Sequence, residues 1–320
     1  MRLGFAVKVL GRAGLKSNDA RRWQNAPHLC VSIELAHGVF DYLGEAKISM
    51  YRMSSDFAPY LTHPEMPQFH NQLGEAQDEL IALGKRANEM NLRLSFHPSQ
   101  YILLNSPNEK LTQNSSHDIH MQARMLDMME QGDDGVVVTH VGGVYDDRDA
   151  ARARFIERFK QLPEPAARRL VLENDDKSWG VDDVLRIHQA TGIRCIFDHQ
   201  HHNCCNPDNR DAADACCAIL KTWDRGRPKI HFSSPRQEDR IVMRRDKEGK
   251  RQENKVAALA TQHADDIDVN TFLPFARAVA NKCGNGEIPF DVMCEAKAKD
   301  LALLKLRGEL QELAPDIVVE

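Results

Sequence analysis

Eight short apolar runs alternate with segments of helical spacing, and seven of the eight lead straight into polar or ionisable residues. This pattern predicts an α/β chain closed as a (β/α)8 TIM barrel. The runs are Arg2 to Val7, Lys47 to Ser54, Leu92 to His97, Val136 to His140, Leu170 to Glu173, Cys195 to Asp198, Lys229 to Ser233 and Phe290 to Glu295. Parallel barrel strands end at one mouth, so their polar endings become neighbours there.

The elements follow in order. After the first run, Gly11-x-x-Gly14 lacks the spacing of the phosphate turn that a doubly wound sheet carries, and it reads as a flexible loop. The second run ends in Ser54-Ser55-Asp56. Phe69 to Met90 then sets Leu73, Ala76, Leu80, Leu83 and Ala87 three or four residues apart, as a helix does. The third run ends at His97, and Asn114 to Met129 repeats the helical spacing with Met121, Met125, Met128 and Met129, side chains suited to filling gaps in a core. Arg148 to Leu162, Val181 to Gln189, Ala212 to Trp223, Thr271 to Lys282 and Ala298 to Leu313 continue the helical series.

Only Arg236 to Lys255 breaks the rhythm. It sets Arg236, Arg240, Arg244, Arg245, Lys247, Lys250, Arg251 and Lys255 against Glu238, Asp239, Asp246, Glu248 and Glu253. Two readings stay open for it: a solvated loop or helix after the seventh strand, or a basic arm at the barrel mouth that touches a phosphate backbone.

With 42% hydrophobic and 28% charged residues the composition is that of an ordinary globular protein. No linker divides the 320 residues, so one barrel domain over 1–320 is expected, with a charged insertion around 236–262. No apolar stretch approaches the ~20 residues of a membrane span. The start Met1-Arg2-Leu3-Gly4-Phe5 is already strand-like and lacks a signal pattern, which points to the cytoplasm. A monomer is the default expectation. The eight cysteines are scattered, and the adjacent pairs Cys204-Cys205 and Cys216-Cys217 do not match a zinc knuckle, so all are read as reduced thiols. A net charge of −5 argues against a general nucleic-acid coat protein. It allows a nuclease whose metal ions supply positive charge where phosphates bind.

A lone histidine at a strand end is usually structural. The argument for chemistry is co-location: His97, His140, Glu173, Asp198, His201, His231 and Glu295 all gather at one mouth if the barrel forms. So many polar groups packed together without a cation would be costly, and mixed imidazole and carboxylate donors suit manganese, zinc or iron. The set serves two or three divalent ions, with Glu173 as a bridging carboxylate, and such ions are the usual apparatus for displacement at phosphorus. Lys229 is odd in this company. A protonated lysine repels metal ions, so it must point away, stay neutral or be carboxylated.

At these residues the chain resembles the UV damage endonuclease (UvdE) family. The matching pieces are Arg2-Leu3-Gly4-Phe5, Tyr51-Arg52-Met53-Ser54-Ser55-Asp56, His97-Pro98-Ser99-Gln100-Tyr101, Leu104-Asn105-Ser106-Pro107, Thr139-His140-Val141-Gly142-Gly143, Leu172-Glu173-Asn174-Asp175-Asp176, Phe197-Asp198-His199-Gln200-His201, Lys229-Ile230-His231-Phe232-Ser233 and Glu295-Ala296-Lys297. The resemblance implies a barrel like those of endonuclease IV and xylose isomerase. It implies incision of damaged double-stranded DNA immediately 5′ to cyclobutane dimers and 6-4 products, leaving 3′-hydroxyl and 5′-phosphate ends.

It also implies a trinuclear site in which His63 and His263 complete the ligand set, with manganese the expected ion and zinc or magnesium as alternatives. Glu173, Lys229 and His231 become catalytic, and Lys229 carboxylated. Gln100 and Tyr101 match the pair inserted into the duplex opposite the lesion, and Phe5 and Asn105 join them on the DNA side. No membrane and no particular downstream repair protein is implied.

Two departures stand out: Phe5 replaces the family's usual tyrosine, and Val7-Lys8-Val9 lacks a nearby asparagine. The rival readings are an endonuclease IV-like abasic-site nuclease with the same metals and a metal-dependent sugar isomerase on a related barrel.

Overall fold

The computed structural model describes residues 1–245 and 249–320; Asp246, Lys247 and Glu248 of the charged segment lie outside the described residues. The chain order is β1 (Leu3–Ala6), α1 (Leu29–Glu45), β2 (Met50–Arg52), α2 (Gln72–Glu75), α3 (Gln77–Glu89), β3 (Arg93–Phe96), α4 (Glu109–Met128), β4 (Val136–His140), α5 (Arg148–Lys160), α6 (Glu164–Arg169), β5 (Leu170–Glu173), α7 (Val181–Thr191), β6 (Arg194–Ile196), α8 (His199–Cys204), α9 (Ala212–Leu220), β7 (Lys229–Phe232), β8 (Arg240–Arg245), β9 (Arg251–Val256), α10 (Val269–Cys283), β10 (Asp291–Cys294) and α11 (Lys299–Leu313).

Eight of the strands form one parallel sheet in the order β6-β5-β4-β3-β2-β1-β10-β7. Its two edges meet through the bridge of Asp198 with His231, where the His231 amide donates to Phe197 O at 2.9 Å. The predicted barrel is therefore present, and its seam lies at the predicted ligands.

Strand pleating decides which side chains point inward. Val136 and Val138 on β4, Val171 on β5 and Ile196 on β6 form an apolar plug, closed by Trp223. Continuing the same alternation past the plug gives His140, Glu173 and Asp198. On the other strands it gives Arg52, His97, His231 and Glu295. The register sets His140 beside Glu173. The outward residues pack under the helices in the main apolar core, where Met121, Met125 and Met129 are buried as expected.

Four expectations are corrected. The helix expected over 69–90 is broken into α2 and α3 at Ala76, whose backbone (φ −111°, ψ 25°) leaves the helical region, while buried Gln72 anchors α2 by donating to Pro59 O and Phe69 O and accepting from the Leu29 amide. The Gly11 loop is tied down: the amides of Leu10 and Gly11 both donate to Asp300. Cys217 and Cys283 are not thiols but a disulfide, joining α9 to α10 where these helices pack with Cα atoms 5.9 Å apart. The charged segment is neither loop nor helix in its described part but an antiparallel hairpin of β8 and β9. Among the described residues no helix is long and apolar enough to cross a membrane.

Candidate metal centre

Three groups of donors lie side by side at the barrel mouth: His97, His140 and Glu173; Glu173, Asp198 and His201; Asp198, His231 and Glu295. The groups are chained, since Glu173 belongs to the first two and Asp198 to the last two. Glu173 Oε2 lies 3.2 Å from His97 Nε2 and 3.8 Å from His140 Nε2. Its Oε1 lies 3.0 Å from His231 Nδ1 and 3.3 Å from His201 Nδ1. Glu295 Oε1 is 3.3 Å from His231 Nδ1.

Local structure holds these donors in place. Asp198 is the N-cap of α8, its Oδ1 accepting from the His201 amide at 2.7 Å, so one carboxylate positions the histidine that shares its group. Asn174 clasps the Asp198 backbone from both sides, donating to its carbonyl and accepting from its amide. Arg52, inward on β2, pairs with Glu295. Sequence reasoning assigns no role to Arg52 or Asn174. For Arg52 the three-residue strand β2 gives no usable signal of phase.

Burial shapes the electrostatics. It pushes the imidazoles of His140 and His231 down, leaving neutral rings with free lone pairs. Burial would raise Glu173, but His231, His140 and His201 hold it well below the usual carboxylate range. Burial likewise opposes ionisation of Glu295, yet Arg52 and His231 hold it down. Asp198 goes the other way: burial, with Glu173 and Glu295 nearby, pushes its carboxyl well up. His201 is pushed up to about 11, its burial outweighed by Asp198 and Glu173.

The residues present fit a divalent cation. Asp198 Oδ2, His231 Nε2 and His140 Nδ1 are buried without a hydrogen-bond partner among the described residues. Buried polar atoms are normally satisfied, and four imidazoles and three carboxylates crowded together, anionic Glu173 among them, with Asp198 Oδ2 left over, form a mixed donor set for a metal ion.

Seven of the nine predicted ligands thus come together. His263 stands at the edge of the third group, Nδ1 4.0 Å from Glu295 Oε2. His63 joins none of the groups among the described residues; its ring stacks edge-on to Tyr60 and its Nδ1 accepts from the Glu65 amide. Lys229 is fully buried inside the barrel, Nζ 3.2 Å from Ser95 Oγ, and burial with Arg93 and Arg52 nearby lowers its amine well below the usual range. A neutral amine there does not repel a metal.

Of the four expected DNA contacts, Gln100 and Tyr101 stand exposed on the loop after β3, Tyr101 at 70% of its surface. Phe5 is corrected: its parity on β1 points outward under the helices, where it is fully buried edge-on to Tyr51, so it cannot meet DNA. Asn105 is corrected too. It is fully buried and donates to Gly143 O, bracing the loop after β4. That contact requires glycine at 142, where φ is +110° and a Cβ would fall 2.2 Å from Asn105 Oδ1.

The profile described as UV-endonuclease UvdE matches residues 31–318. A UV DNA damage endonuclease of Bacillus velezensis is 35% identical over 269 residues, spanning 83% of this chain and 76% of the relative. The crystal structure of SacUVDE superposes with a TM-score of 0.80 at 28% identity, covering 98% of this chain and 99% of that one. A xylose isomerase domain protein from Planctomyces limnophilus shares the fold alone, with a TM-score of 0.54 at 15% identity and 98% of each chain covered.

Proposed function

The chain belongs to the UV-endonuclease UvdE family, and from that premise we propose that it is a phosphodiester hydrolase that nicks duplex DNA at UV damage. The finer reading is incision immediately 5′ to cyclobutane dimers and 6-4 products, leaving 3′-hydroxyl and 5′-phosphate ends. The observation that carries it is the chain of three donor groups opening at the same mouth as the exposed Gln100-Tyr101 loop.

Two or three divalent ions, manganese expected, would be held by His97, His140, Glu173, Asp198, His201, His231 and Glu295, with His263 at their edge, and would supply Lewis acidity and positive charge at the phosphodiester. Glu173 and Asp198, shared between groups, set the spacing of the donors, and Arg52 keeps Glu295 ionised and aimed. Lys229 has the neutral amine that adds carbon dioxide, forming an N–C bond and losing a proton, and the resulting carbamate is the anion proposed here. Intact mass in the presence and absence of bicarbonate reads that modification.

Tyr101 and Gln100 enter the duplex opposite the lesion, where a ring replaces stacking that the damaged bases have already weakened. The substrate partner is damaged double-stranded DNA, and the chain acts as a monomer.

The test is nicking of UV-irradiated against undamaged supercoiled plasmid with manganese, with and without chelator. The irradiated plasmid should be nicked selectively and the chelator should stop it. Equal nicking of both plasmids, or none, would sink the proposal. Preference for an abasic plasmid over the irradiated one would move the chain to abasic-site repair.

A further inference from the structure

We propose that the β8–β9 hairpin is a second DNA-binding element, a basic ribbon at the barrel mouth that lies along the phosphate backbone of the duplex flanking the nick. The inference rests on the endonuclease reading above and extends it to a surface that the metal centre does not involve.

The hairpin is rooted at the site. Its ascending arm, β8, follows β7 after the short segment 233–239, and the chain beyond its descending arm returns to His263, which bridges to Pro235 beside Glu295. The base is braced on both sides: the Arg236 amide donates to Gln262 O, the Ala264 amide to Ser234 O, the Arg236 guanidinium to Ala257 O, and Gln200 from α8 to Ala260 O. Six-residue strands at ~3.3 Å per residue reach roughly 20 Å from that base.

Directly opposed residues share a face. One face therefore carries Ile241 opposite Lys255, Met243 opposite Glu253, and Arg245 opposite Arg251. Ile241 and Met243 are 69% and 55% exposed, so this face stands open to solvent. Lys255 is neutralised by Asp239 at 2.9 Å. Among the described residues the Arg245 guanidinium makes a long bond, 3.4 Å, to Gly249 O.

Two arginines set directly across a ladder repel, and a lone two-stranded hairpin is marginal in water. Glu253, diagonal to Arg245 on the same face, is the single carboxylate set against that pair among the residues of this face, so the pair gains from a polyanion lying against it. The segment from Arg236 to Lys255 holds eight Lys or Arg against five Asp or Glu, while the whole chain carries −5. This stretch is thus positive in a chain that is negative overall, and it projects from the side of the barrel that holds the donors. A protein-binding face would be depleted of charge at its centre, whereas a DNA ribbon combines arginines for phosphates with apolar side chains for the sugars.

The experiment measures fluorescence anisotropy of a labelled duplex, undamaged and UV-damaged, with the full metal-loaded chain over a series of salt concentrations. The variants are R245A/R251A and the conservative R245K/R251K; both sites are exposed and away from the donors. R245A/R251A should make the dependence of log affinity on log salt shallower by about 1.8, the share of two neutralised phosphates. Affinity should fall equally for both duplexes, so lesion discrimination and metal content stay unchanged, and R245K/R251K should restore the slope.

An unchanged slope in R245A/R251A overturns the inference. So does sedimentation of the wild type as a dimer that the same variant converts to monomer, because the face would then be covered by a second copy. A chain that binds both duplexes alike and nicks neither refutes the endonuclease reading while the slope still decides the hairpin.

Discussion

The two ends of this barrel each bury a cluster of charge, and the clusters differ in what they leave unspent. At the bottom, Asp291 is matched completely: Arg93 Nη1 at 2.8 Å, Arg227 Nε at 2.9 Å and the Arg2 amide at 2.9 Å share its two oxygens. The buried atoms left over there are N–H donors, Arg93 Nη2 and Arg194 Nε, which cannot hold a cation. At the mouth the leftover atoms include a carboxylate oxygen, Asp198 Oδ2, set among four imidazoles and two further carboxylates. A buried cluster short of acceptors closes on itself and serves the fold; one short of cations is built for something that arrives. This agrees with the division in such barrels between a stabilising bottom and a chemical top.

The largest expected effect breaks the bottom. Asp291→Asn leaves Arg93 buried without its counter-charge and should cost about 3–5 kcal/mol of unfolding free energy, read by denaturant titration. Manganese stoichiometry should stay unchanged; a loss of bound metal would show that the two ends are not separate. Next comes the mouth. Glu173→Gln should lower nicking of irradiated plasmid about 10³-fold, roughly 4 kcal/mol in barrier. The metal-free variant should unfold at a denaturant concentration no lower than the metal-free wild type. Strong destabilisation of the metal-free protein would make Glu173 a structural residue like Asp291.

A smaller effect sharpens the contrast through protons. Metal at a hundred times its dissociation constant should stabilise the wild type by about 2.7 kcal/mol, and Asp291→Asn by the same increment. Because His201 is pushed up to about 11 and the neighbouring Asp198 carboxyl well up, this pair holds a proton at pH 8 that a metal must displace, whereas His140 and His231, pushed down by burial, have none to give. Metal affinity should therefore rise with pH above neutrality, and calorimetry in buffers of different ionisation enthalpy should detect proton release near pH 8. No release would mean that the His201–Asp198 pair does not ligate the metal.

Much of this contrast is legible in the sequence, for a physical reason. An ionisable residue that ends an apolar run is conspicuous, and period-two pleating places it inside or outside by its distance from the run's other inward residues. Val136, Val138 and His140 form one such series, and Val171 and Glu173 another. The parity of β1 is not legible, because a parallel barrel strand is apolar on both faces and Leu3, Gly4, Phe5 and Ala6 carry no mark of which side is inner. The resemblance puts Phe5 on the DNA side, and nothing in the run itself marks it as outward. The Cys217–Cys283 link joins residues 66 apart whose meeting depends on how two helices pack. Arg52 ends a three-residue strand too short to show its phase, and the hairpin's charges conceal an alternation that only cross-strand pairing reveals.

The smallest effect concerns the rim of the mouth, where the contrast between spent and unspent groups recurs in apolar form. Tyr101 exposes 70% of its surface in a chain whose other barrel aromatics, Phe5, Tyr51 and Phe96, are buried. A ring held in water at the edge of a donor cluster has surface left for a partner, as Asp198 Oδ2 has a lone pair left for a metal. Tyr101→Ala should weaken binding of irradiated duplex by about 1–3 kcal/mol, one stacked base's worth. Binding of undamaged duplex should hardly change, since an intact stack seldom opens to receive the ring. Metal stoichiometry and thermal stability should match the wild type, because so exposed a side chain adds little to the packing of the barrel. Tyr101→Phe should retain most of the discrimination, which separates stacking from any hydrogen bond by the hydroxyl. If Tyr101→Ala binds both duplexes as the wild type does, the exposed ring is only a solvated loop residue and the recognition of damage lies elsewhere on the mouth.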